Sequence, residues 1–409
     1  MSMSYEACQD TVCILLAGGQ GSRLFPLTAD RAKPSVPFGG AYRIIDFTLS
    51  NCLHSGFRRV LVLTQYKSHS LQKHLRDAWS IFSPEMGEYI TTVPPQMRTG
   101  DSWYSGTADA IYQNSFLLER IGAKRVMILS GDHIYRMDYA AMLQQHEELK
   151  ADLTVACMQV PVSDARSFGV MTIDSSNKVV RFVEKPTVPD PMPGNKNSAL
   201  ASMGIYIFNH DVLAEQLSRD HLDETSTHDF GNDLIPRLID THHVCGYQFG
   251  RQEGRVTQDR YWRDVGTIDS YFDANMDLLS PSPPLNLYQN SWPIRTYHGQ
   301  HPPARVVPAS DVSYGDIQNS ILGGGSMVIS AKVVNSILSA NVRVHENAQL
   351  DSSIIFDGVE IGAGAKLRRC IVDKDVRIPA GMEIGYEHET DSKFFKVTDN
   401  GIVVVPKDF

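Results

Sequence analysis

The sequence predicts an α/β domain with a mostly parallel sheet, followed by a left-handed parallel β-helix. Two patterns along the 409 residues lead to this prediction. From Val12 to about Leu279, short β-branched apolar runs alternate with helical patterns, which is typical of a parallel sheet covered by helices on both faces. Beyond Gln318 a short motif returns about every 17 residues, which is typical of stacked coils.

The first predicted strand, Val12–Ala17, ends in a glycine-rich turn. Three of the next four positions are glycine, namely Gly18, Gly19 and Gly21. Glycine lets the backbone turn sharply and bring its N–H groups against an anion, because no Cβ stands in the way. The turn therefore has the composition of a phosphate-binding loop at the carboxyl end of a buried strand.

Two basic residues, Arg23 and Lys33, follow this turn, and both can hold phosphate charge. The pattern lacks the Gly-Lys-Ser/Thr of a Walker loop and the G-x-G-x-x-G of a dinucleotide-binding fold. A glycine-rich turn is also common in α/β proteins for purely structural reasons. The phosphate interpretation therefore depends on these basic residues and on partners further along the chain.

Three more runs have the composition of buried parallel strands, Val60–Leu63, Val126–Leu129 and Leu153–Ala156. Helical patterns over Ser68–Phe82 and Ala108–Ile121 lie between them. Ligands of such sheets bind beyond the carboxyl ends of the strands, which is where the glycine turn falls.

The chain divides into three predicted parts. Residues 1–279 form the α/β domain, and residues 280–318 form a surface connector, because prolines at 281, 283, 284, 302, 303 and 308 break any long element. Residues 319–409 form the β-helix, because a motif recurs at 319–322, 335–338, 352–355 and 369–372 with spacings of 16, 17 and 17. Within a coil, aliphatic residues lie six apart, as in Val344/Leu350, Ile361/Leu367 and Ile378/Ile384. We expect about four coils, capped by the tail 393–409.

The composition excludes several classes of protein. Hydrophobic residues make up 42% and charged residues 21%, as in a globular protein, and the formal net charge of −9 argues against wrapping nucleic acid or coating an anionic membrane. No apolar run approaches a membrane span, and residues 1–10 show no signal peptide. The six cysteines form no C-x-x-C pair, which favours reduced thiols in a cytoplasmic protein over zinc ligation or disulfides.

Two aspartates point to a metal. Asp132 follows the strand that ends at Leu129, and Asp264 lies in Tyr-Trp-Arg-Asp-Val-Gly-Thr at 261–267. Each aspartate alone could simply cap a turn. Two carboxylates beside a phosphate-binding turn would instead form a Mg²⁺ site, since Mg²⁺ prefers oxygen ligands and shares them with substrate phosphates.

Two further polar clusters lie in the first domain. Residues 103–110, Trp-Tyr-Ser-Gly-Thr-Ala-Asp-Ala, place a Gly-Thr turn at a helix start, where its polar groups can meet a base or a sugar. Residues 182–186, Phe-Val-Glu-Lys-Pro, end a strand with a charge pair. Such a pair is usually a solvated surface pair, but here it could hold a sugar hydroxyl and a phosphate.

Together these motifs resemble those of the bacterial ADP-glucose pyrophosphorylases, also called glucose-1-phosphate adenylyltransferases. The resemblance spans nearly the whole chain, because it covers the first domain from end to end and includes the β-helix. The element at 103–110 is highly specific for this branch of the sugar nucleotidyltransferases. The matching segments are 16–24, 31–34, 103–110, 131–135, 184–186, 201–206 and 261–267.

The resemblance implies a Rossmann-like nucleotidyltransferase domain that converts ATP and glucose 1-phosphate to ADP-glucose and pyrophosphate. Arg23 and Lys33 would neutralise the departing pyrophosphate, and Asp132 and Asp264 would carry Mg²⁺, which makes these four the expected catalytic residues. The expected nucleotide contacts are Gly18, Gly19, Gly21, Gln65, Gln96, Gly106 and Thr107. The expected glucose 1-phosphate contacts are Tyr104, Gly169, Glu184, Lys185, Ser202, Asp229 and Trp262.

The resemblance also implies a homotetramer that feeds glycogen synthesis and responds to phosphorylated or nucleotide effectors. Arg31 and Arg43 match effector-contacting arginines of the family. Members activated by fructose 1,6-bisphosphate carry a lysine where this chain has Asp30 and a histidine where it has Pro37. Because an anion in place of a cation repels phosphate, we expect altered or weak activation by fructose 1,6-bisphosphate.

Two alternatives stay open at the level of sequence. The nucleotide could be UTP, dTTP or GTP, because base contacts do not show in a sequence, although the element at 103–110 favours ATP. The chain could also be a non-catalytic regulatory subunit, since such subunits arise in this family by loss of catalytic charges. Five charges that such a subunit would lose are present here, namely Arg23, Lys33, Asp132, Lys185 and Asp264.

Overall fold

A computed structural model describes residues 5–96, 103–251, 256, 260–308 and 315–409. Residues 309–314 of the predicted connector, and residues 1–4, lie outside the described residues. The helices are α1 (Tyr5–Gln9), α2 (Ile44–Ser55), α3 (His69–Trp79), α4 (Thr107–Tyr112), α5 (Ser115–Ile121), α6 (Tyr139–Glu148), α7 (His210–His221), α8 (Ile235–Ile239), α9 (Ile268–Asp277) and α10 (His388–Asp391). Within the described ranges, no helix has the length and apolarity needed to cross a membrane.

The first part of the chain contains the strands of one large sheet and two small ones. These strands are β1 (Thr11–Ala17), β2 (Pro37–Phe38), β3 (Tyr42–Arg43), β4 (Arg59–Thr64), β5 (Tyr89–Val93), β6 (Arg125–Ser130), β7 (His133–Tyr135), β8 (Leu153–Pro161), β9 (Gly169–Ile173), β10 (Val179–Glu184), β11 (Ser198–Asn209), β12 (Val244–Gln248) and β13 (Trp262–Asp264). The large sheet has the order β10-β9-β11-β6-β1-β4-β5, with β8 paired to β11 and β12 to β8.

The predicted α/β class is confirmed, and the parallel half of the sheet positions the glycine turn. β1 runs parallel to β4 and β6, and β4 runs parallel to β5. Leu16 therefore pairs with Leu63 on one side and with Ser130 on the other, so three strands end at one edge. The long β11 runs antiparallel to β6, β8 and β9, which makes the sheet mixed.

Alternation along β1 explains why both faces of this sheet are covered. Successive side chains of a strand point to opposite faces. Val12 and Ile14 pack into one buried cluster with residues of α4, α5 and α7, whereas Cys13 and Leu15 pack into another with residues of α2, α3 and α6. The nearly continuous apolar run of β1 is thus what a strand between two helical layers requires.

The predicted helices exist, but with different bounds. The helical pattern Ser68–Phe82 gives the shorter α3, and the pattern Ala108–Ile121 is divided into α4 and α5. The break lies at Asn114, whose side-chain amide donates to the carbonyl of Ala110 at 2.8 Å and to the hydroxyl of Tyr104 at 3.0 Å. Asparagine competes in this way with the backbone hydrogen bonds of a helix.

The C-terminal repeats form three parallel sheets. Their strands are β14 (Arg305–Val307), β15 (Asp316–Gln318), β16 (Ile321–Leu322), β17 (Met327–Ile329), β18 (Lys332–Val334), β19 (Ile337–Leu338), β20 (Arg343–Val344), β21 (Gln349–Asp351), β22 (Ile354–Ile355), β23 (Glu360–Ile361), β24 (Lys366–Arg368), β25 (Cys370–Val372), β26 (Arg377–Ile378), β27 (Glu383–Ile384), β28 (Lys396–Val397) and β29 (Val403–Val405). The aliphatic residues of the repeat align in register, as Val344-Ile361-Ile378 and Leu350-Leu367-Ile384. This arrangement agrees with the predicted left-handed parallel β-helix.

The β-helix gains strands from both sides of the predicted repeats. β14 and β15 lie within residues 280–318, yet they pair in parallel with β17 and β18. The tail strand β29 pairs in parallel with β25. No sequence repeat marks β14 or β15. The division of the chain at residues 279 and 318 stays a prediction.

The β-helix packs directly on the first domain. Ile354 and Ile371 of the coils share one buried cluster with Phe38 and Tyr271. Beside this cluster Arg31 Nη2 lies 2.9 Å from Asp373 Oδ1, with both side chains buried. The two parts of the molecule are therefore joined by an apolar contact and a buried ion pair.

We expect Leu350→Ala to lower the free energy of unfolding by about 2–5 kcal/mol, because it opens a cavity in the β-helix core. Leu350 is buried in that core. The matched control is Lys366→Ala, which removes an exposed ion pair with Glu383 of 2.7 Å and should change the free energy by at most about 1 kcal/mol. Urea denaturation measures both, and equal effects would contradict the assignment of the inward face.

Candidate active site

A two-stranded sheet places the two predicted metal carboxylates side by side. β13 pairs antiparallel with β7, so that Trp262 lies opposite Tyr135 and Asp264 lies opposite His133. β7 begins just after the carboxyl end of β6, in the sequence Ser-Gly-Asp-His. Asp132 and Asp264 thus meet at the edge of the sheet where the glycine turn ends β1.

The ammonium group of Lys33 lies between these carboxylates. Its Nζ is 2.8 Å from Asp132 Oδ2 and 3.2 Å from Asp264 Oδ1, and 9% of the Lys33 side chain is exposed. Lys33 begins a short helical turn with Pro34, whose ring favours the first position of a helix. Ser130 also donates its hydroxyl to Asp132.

The pKa values follow from this pairing. Burial alone would lower the pKa of Lys33, but the carboxylates of Asp132 and Asp264 outweigh it and raise the pKa above its ordinary value. Burial would raise the pKa of Asp132, but the charge and hydrogen bond of Lys33 hold it well below its usual range. Lys33 and Asp132 are therefore both ionised throughout the neutral range.

The glycine turn lies against this cluster. Gly21 has φ +62°, a left-handed conformation that favours glycine, and its carbonyl accepts a 2.9 Å hydrogen bond from Thr28 Oγ1. A Cβ added to Gly21 would lie 3.1 Å from the Cβ of Lys33. A Cβ added to Gly18 would lie 3.0 Å from the Cβ of Gln65, whereas Gly19 faces open space.

Arg23 completes the group of four predicted catalytic residues. A Cβ added to Gly266 would lie 3.0 Å from both Arg23 Nη2 and Asp264 Oδ1, so the guanidinium lies beside this carboxylate. The Arg23 side chain is exposed. The structure thus brings together Arg23, Lys33, Asp132 and Asp264, which lie far apart in the sequence.

His133 is a member of this site that the sequence analysis did not assign. Single ligand atoms of Asp132, His133 and Asp264 lie within 4.8 Å of one another. His133 Nδ1 is buried with no hydrogen-bond partner among the described residues, and the ring packs on Trp262 with centroids 4.9 Å apart. Two carboxylates and an imidazole form a set of ligands that fits a divalent cation. The available sequence signal for His133 was its position directly after Asp132.

Glu184 and Lys185 lie in a second polar cluster. Gly169 pairs with Glu184 across β9 and β10, and Lys185 Nζ lies 3.0 Å from Glu184 Oε1. Lys185 has φ +43°, an unusual conformation for lysine, and its side chain is largely exposed. The ammonium is therefore accessible to an anionic ligand.

Asp229 connects Thr107 to this cluster. Its Oδ1 accepts hydrogen bonds from the N–H groups of Gly231 (2.9 Å) and Asn232 (3.1 Å), and its Oδ2 accepts one from Thr107 Oγ1 (3.0 Å). A Cβ on Gly231 would collide with Glu184 Oε2. Gly106 and Thr107, expected at the nucleotide, therefore lie in the same cluster as the residues expected at the sugar phosphate.

Tyr206 also belongs to this cluster, although the sequence analysis gave it no role. Burial raises the pKa of Tyr206, a hydrogen bond with Ser202 opposes this, and the charges of Asp229 and Glu184 raise it further. The phenol thus keeps its proton beside two carboxylates. A bulge in β11 between Ser202 and Tyr206, which no sequence signal indicated, brings the two side chains together.

The two clusters are contiguous. The ring centroids of Trp262 and Phe168 are 5.2 Å apart, and the Phe168 carbonyl accepts the N–H of Lys185. A Cβ on Gly204 would lie 3.8 Å from His133, and the N–H of Gly204 donates to Ser202 Oγ at 3.3 Å. One surface therefore runs from the Lys33 cluster to Glu184.

Two predicted site residues, Tyr104 and Gln96, have contacts outside the two clusters described above. Tyr104 accepts a hydrogen bond from Asn114, and burial raises its pKa, with the hydrogen bond opposing the rise. Gln96 lies beyond β5 and donates to the Pro94 carbonyl at 2.8 Å. Among the described residues, no contact joins Gln96 to the other predicted nucleotide contacts.

Arg31 and Arg43 lie at a different place, where the first domain meets the β-helix. Arg31 is paired with Asp373, and Arg43 Nη1 donates to the Ser35 carbonyl (2.6 Å) and to Ser70 Oγ (3.1 Å). Arg43 also lines a cavity of about 380 Å³ between the two parts of the molecule.

Comparison with known proteins agrees with this geometry. The sequence profile described as nucleotidyl transferase matches residues 12–281, and that of the GlmU-like C-terminal hexapeptide matches residues 302–405. The chain belongs to the nucleotidyl transferase family. Over 98% of its length it is 59% identical to glucose-1-phosphate adenylyltransferase 2 of Vibrio cholerae (98% of that protein covered), 61% to that of Vibrio parahaemolyticus (99%) and 48% to glucose-1-phosphate adenylyltransferase of Methylobacillus flagellatus (94%). The resemblance found in the sequence is confirmed.

We expect Lys33→Met to lower the free energy of unfolding, because it leaves two carboxylates facing each other without a cation. The stabilisation is complete above the ordinary pKa of 3.8 for Asp132 and below the ordinary 10.5 for Lys33. It is lost as the pH falls through the lowered pKa of Asp132, or rises through the raised pKa of Lys33. The difference from wild type should therefore be constant between about pH 5 and 9 and shrink outside that window.

Urea denaturation across this pH range, in buffer with a chelator, measures the difference. Lys124→Met is the matched control, because it removes an exposed pair in which Lys124 Nζ lies 2.7 Å from Asp10. An effect of Lys33→Met that changes steadily between pH 5 and 9, or that equals the effect of the control, would contradict the assigned pairing.

Proposed function

We propose that the chain is a glucose-1-phosphate adenylyltransferase, which joins ATP and glucose 1-phosphate to give ADP-glucose and pyrophosphate. The observation that carries the proposal is the cluster of Lys33, Asp132 and Asp264 beside the glycine turn after β1. The names of its relatives at 46–61% identity support the same reaction.

The proposed reaction depends more on neutralising negative charge and on positioning the two substrates than on proton transfer. A phosphate oxygen of glucose 1-phosphate attacks the α-phosphorus of ATP. The bond from that phosphorus to the oxygen bridging the α- and β-phosphates breaks, and this oxygen leaves with pyrophosphate. The attacking oxygen is already anionic, so no general base is required. The main obstacle is repulsion between two anions, and Lys33, Arg23 and Lys185 supply the cations that reduce it.

Mg²⁺ is the cofactor that Asp132 and Asp264 would hold, and it would neutralise charge on the phosphates when bound. The carboxylate oxygens suit this ion, and Lys33 holds the pKa of Asp132 well below its usual range. Arg23 and the N–H groups after Gly18 would bind the triphosphate. Glu184 and Asp229 would accept hydrogen bonds from the sugar hydroxyls, Ser202 would donate or accept one, and Lys185 would bind the sugar's phosphate.

The wider setting belongs to the same proposal. ADP-glucose formation would feed glycogen synthesis, and the active form would be a homotetramer. Six free, buried cysteines suit the reducing conditions of the cytoplasm.

Pyrophosphate release from the purified protein with ATP, Mg²⁺ and glucose 1-phosphate tests this function. We expect turnover with ATP, and a fall in kcat of about 10²–10³-fold in Asp132→Asn and in Asp264→Asn, because each weakens binding of the Mg²⁺ whose charge would stabilise the transition state. Asp10→Asn, which alters an exposed pair, is the control and should leave kcat unchanged.

The alternatives give different results in the same assay. Equal turnover with UTP, dTTP or GTP would contradict the preference for ATP. Absence of turnover with every nucleotide would favour a regulatory, non-catalytic subunit.

We also propose that the cavity between the first domain and the β-helix binds a phosphorylated or nucleotide effector. Cationic and imidazole side chains line it, namely Arg43, Lys73, His74, His298, His301 and Lys374. Burial lowers the pKa of Arg43 and of Lys374, and the charge of Arg31 lowers both further, although Asp46 and Asp357 oppose the shifts. Asp357 and Asp77 also line the cavity. An anion in the cavity would relieve this crowding of positive charge.

The departures at Asp30 and Pro37 favour a weak response to fructose 1,6-bisphosphate. Pro37 lines the cavity and offers no donor to a phosphate, and Asp30 is an exposed anion one residue before Arg31. We expect activation by fructose 1,6-bisphosphate to stay below the about fivefold that marks the lower end of typical allosteric coupling.

Initial rates with increasing fructose 1,6-bisphosphate measure this response in wild type, in Arg43→Ala and in the control Lys366→Ala. Arg43→Ala should abolish the weak response, and the control should keep it. A large activation of wild type that Arg43→Ala or Arg31→Ala removes would show that Asp30 and Pro37 do not weaken this effector.

A further inference from the structure

The loop after α7 holds a hydrogen-bonded aspartate–histidine pair that the proposed chemistry does not use. Asp220, near the end of α7, is only 2% exposed, and its Oδ2 lies 2.8 Å from His228 Nδ1. Ser226 donates its hydroxyl to Asp220 Oδ1 at 2.6 Å, and Arg237 Nη1 lies 3.7 Å from the same oxygen. Because an ionised carboxylate only accepts hydrogen bonds, His228 carries a proton on Nδ1.

This pair holds His228 in an uncommon backbone conformation. Its φ of +56° lies in the left-handed region, which only a few per cent of residues other than glycine adopt, although asparagine, aspartate and histidine do so more often than the rest. Ser226 Oγ accepts the His228 N–H at 3.0 Å, while the ring is held by Asp220. The side-chain contacts thus stabilise a turn that the backbone alone would disfavour.

The left-handed turn directs the His228 carbonyl at the start of α4. This carbonyl accepts the N–H of Ala108 at 2.8 Å. A Cβ at Gly106 would collide with the same carbonyl, so the approach requires glycine there. The loop and the Gly106–Thr107 turn are therefore fitted to each other through backbone atoms.

Asp229 follows His228 directly in the sequence. The position of its carboxylate therefore depends on how this loop contacts the Gly106–Thr107 turn. Its Oδ2 accepts the hydroxyl of Thr107, and its Oδ1 accepts two N–H groups of the next turn. A carboxylate has about four lone-pair sites, so one remains for a ligand hydroxyl. A shift of His228 would move Asp229 relative to both Thr107 and Glu184.

We propose that the Asp220–His228 pair is a positioning element for the sugar-phosphate half of the site, which fixes Asp229 against Thr107 through the left-handed turn at His228. The inference rests on the proposed function, because it takes Asp229 and Thr107 to face glucose 1-phosphate. His228 itself acts through its neighbours. A separate contact keeps the loop folded when His228 is replaced, since Asp233 accepts the N–H of Asp229 at 3.1 Å and the hydroxyl of Thr227 at 2.6 Å.

The test compares His228→Ala with His228→Asn. Alanine removes the donor to Asp220 and disfavours positive φ, whereas asparagine can donate and tolerates that conformation. We expect His228→Ala to raise KM for glucose 1-phosphate about tenfold, with kcat and the KM for ATP changed by less than about twofold. His228→Asn should recover most of the loss. His242→Ala, at a partly exposed histidine whose Nδ1 contacts Thr241, is the control and should match wild type.

Calorimetric binding of glucose 1-phosphate and thermal melting complete the experiment. Weaker binding in His228→Ala with little change in melting temperature supports the inference whether or not the protein turns over. Equal loss for both substrates, no rescue by asparagine, or binding unchanged from wild type would overturn it. Wild-type protein that binds glucose 1-phosphate but releases no pyrophosphate would count against the proposed function alone.

Discussion

The ammonium of Lys33, held between the carboxylates of Asp132 and Asp264, is the contact on which the site depends. Three separate parts of the chain supply these charges: the short helical turn that begins at Lys33, the link between β6 and β7, and β13. An unpaired charge in so enclosed a place would be costly, so the pairing constrains all three segments together. The β7–β13 register brings Asp264 opposite His133, and the parallel pairing of β1 with β6 brings Asp132 beside the glycine turn. The fold thus creates the cleft and its charge balance at once.

The second cluster differs from the first in how its charges are controlled. Around Lys33, cation and carboxylates balance each other, whereas Glu184 and Asp229 are carboxylates held mainly by N–H and hydroxyl donors and by an exposed lysine. Hydrogen bonds of this kind fix the orientation of a carboxylate and also stabilise its negative charge. Such a pocket suits a neutral, hydroxyl-rich ligand with one anionic end. The Lys33 cluster suits a more highly charged ligand and a metal ion, so the contiguous surface has two chemically distinct halves.

Sequence reasoning succeeded where the signal was local and periodic. The apolar run of β1 with its glycines, and the aliphatic positions such as Leu350 and Leu367, could be predicted because strand alternation and coil repeats are written in neighbouring residues. It missed the strands at Arg305–Val307 and Asp316–Gln318, which carry no repeat motif and pair only because a coil stacks on them. The helix break at Asn114 depends on Tyr104 and Ala110. The placing of Thr107 on Asp229 depends on residues more than a hundred positions apart, which no local pattern encodes.

The β-helix is physically connected to the active site as well as packed beside it. Asp373 of the coils pairs with Arg31, which lies only two residues before Lys33. Both partners are buried, so a change that separates them leaves a charge without compensation and acts on the backbone that carries Lys33. A domain attached only through its connector would transmit nothing of this kind. Arg43 and Lys374 line the neighbouring cavity, and the charge of Arg31 acts on both of them. An anion in that cavity, as in the proposed effector site, would therefore act electrostatically on the guanidinium that pairs with Asp373.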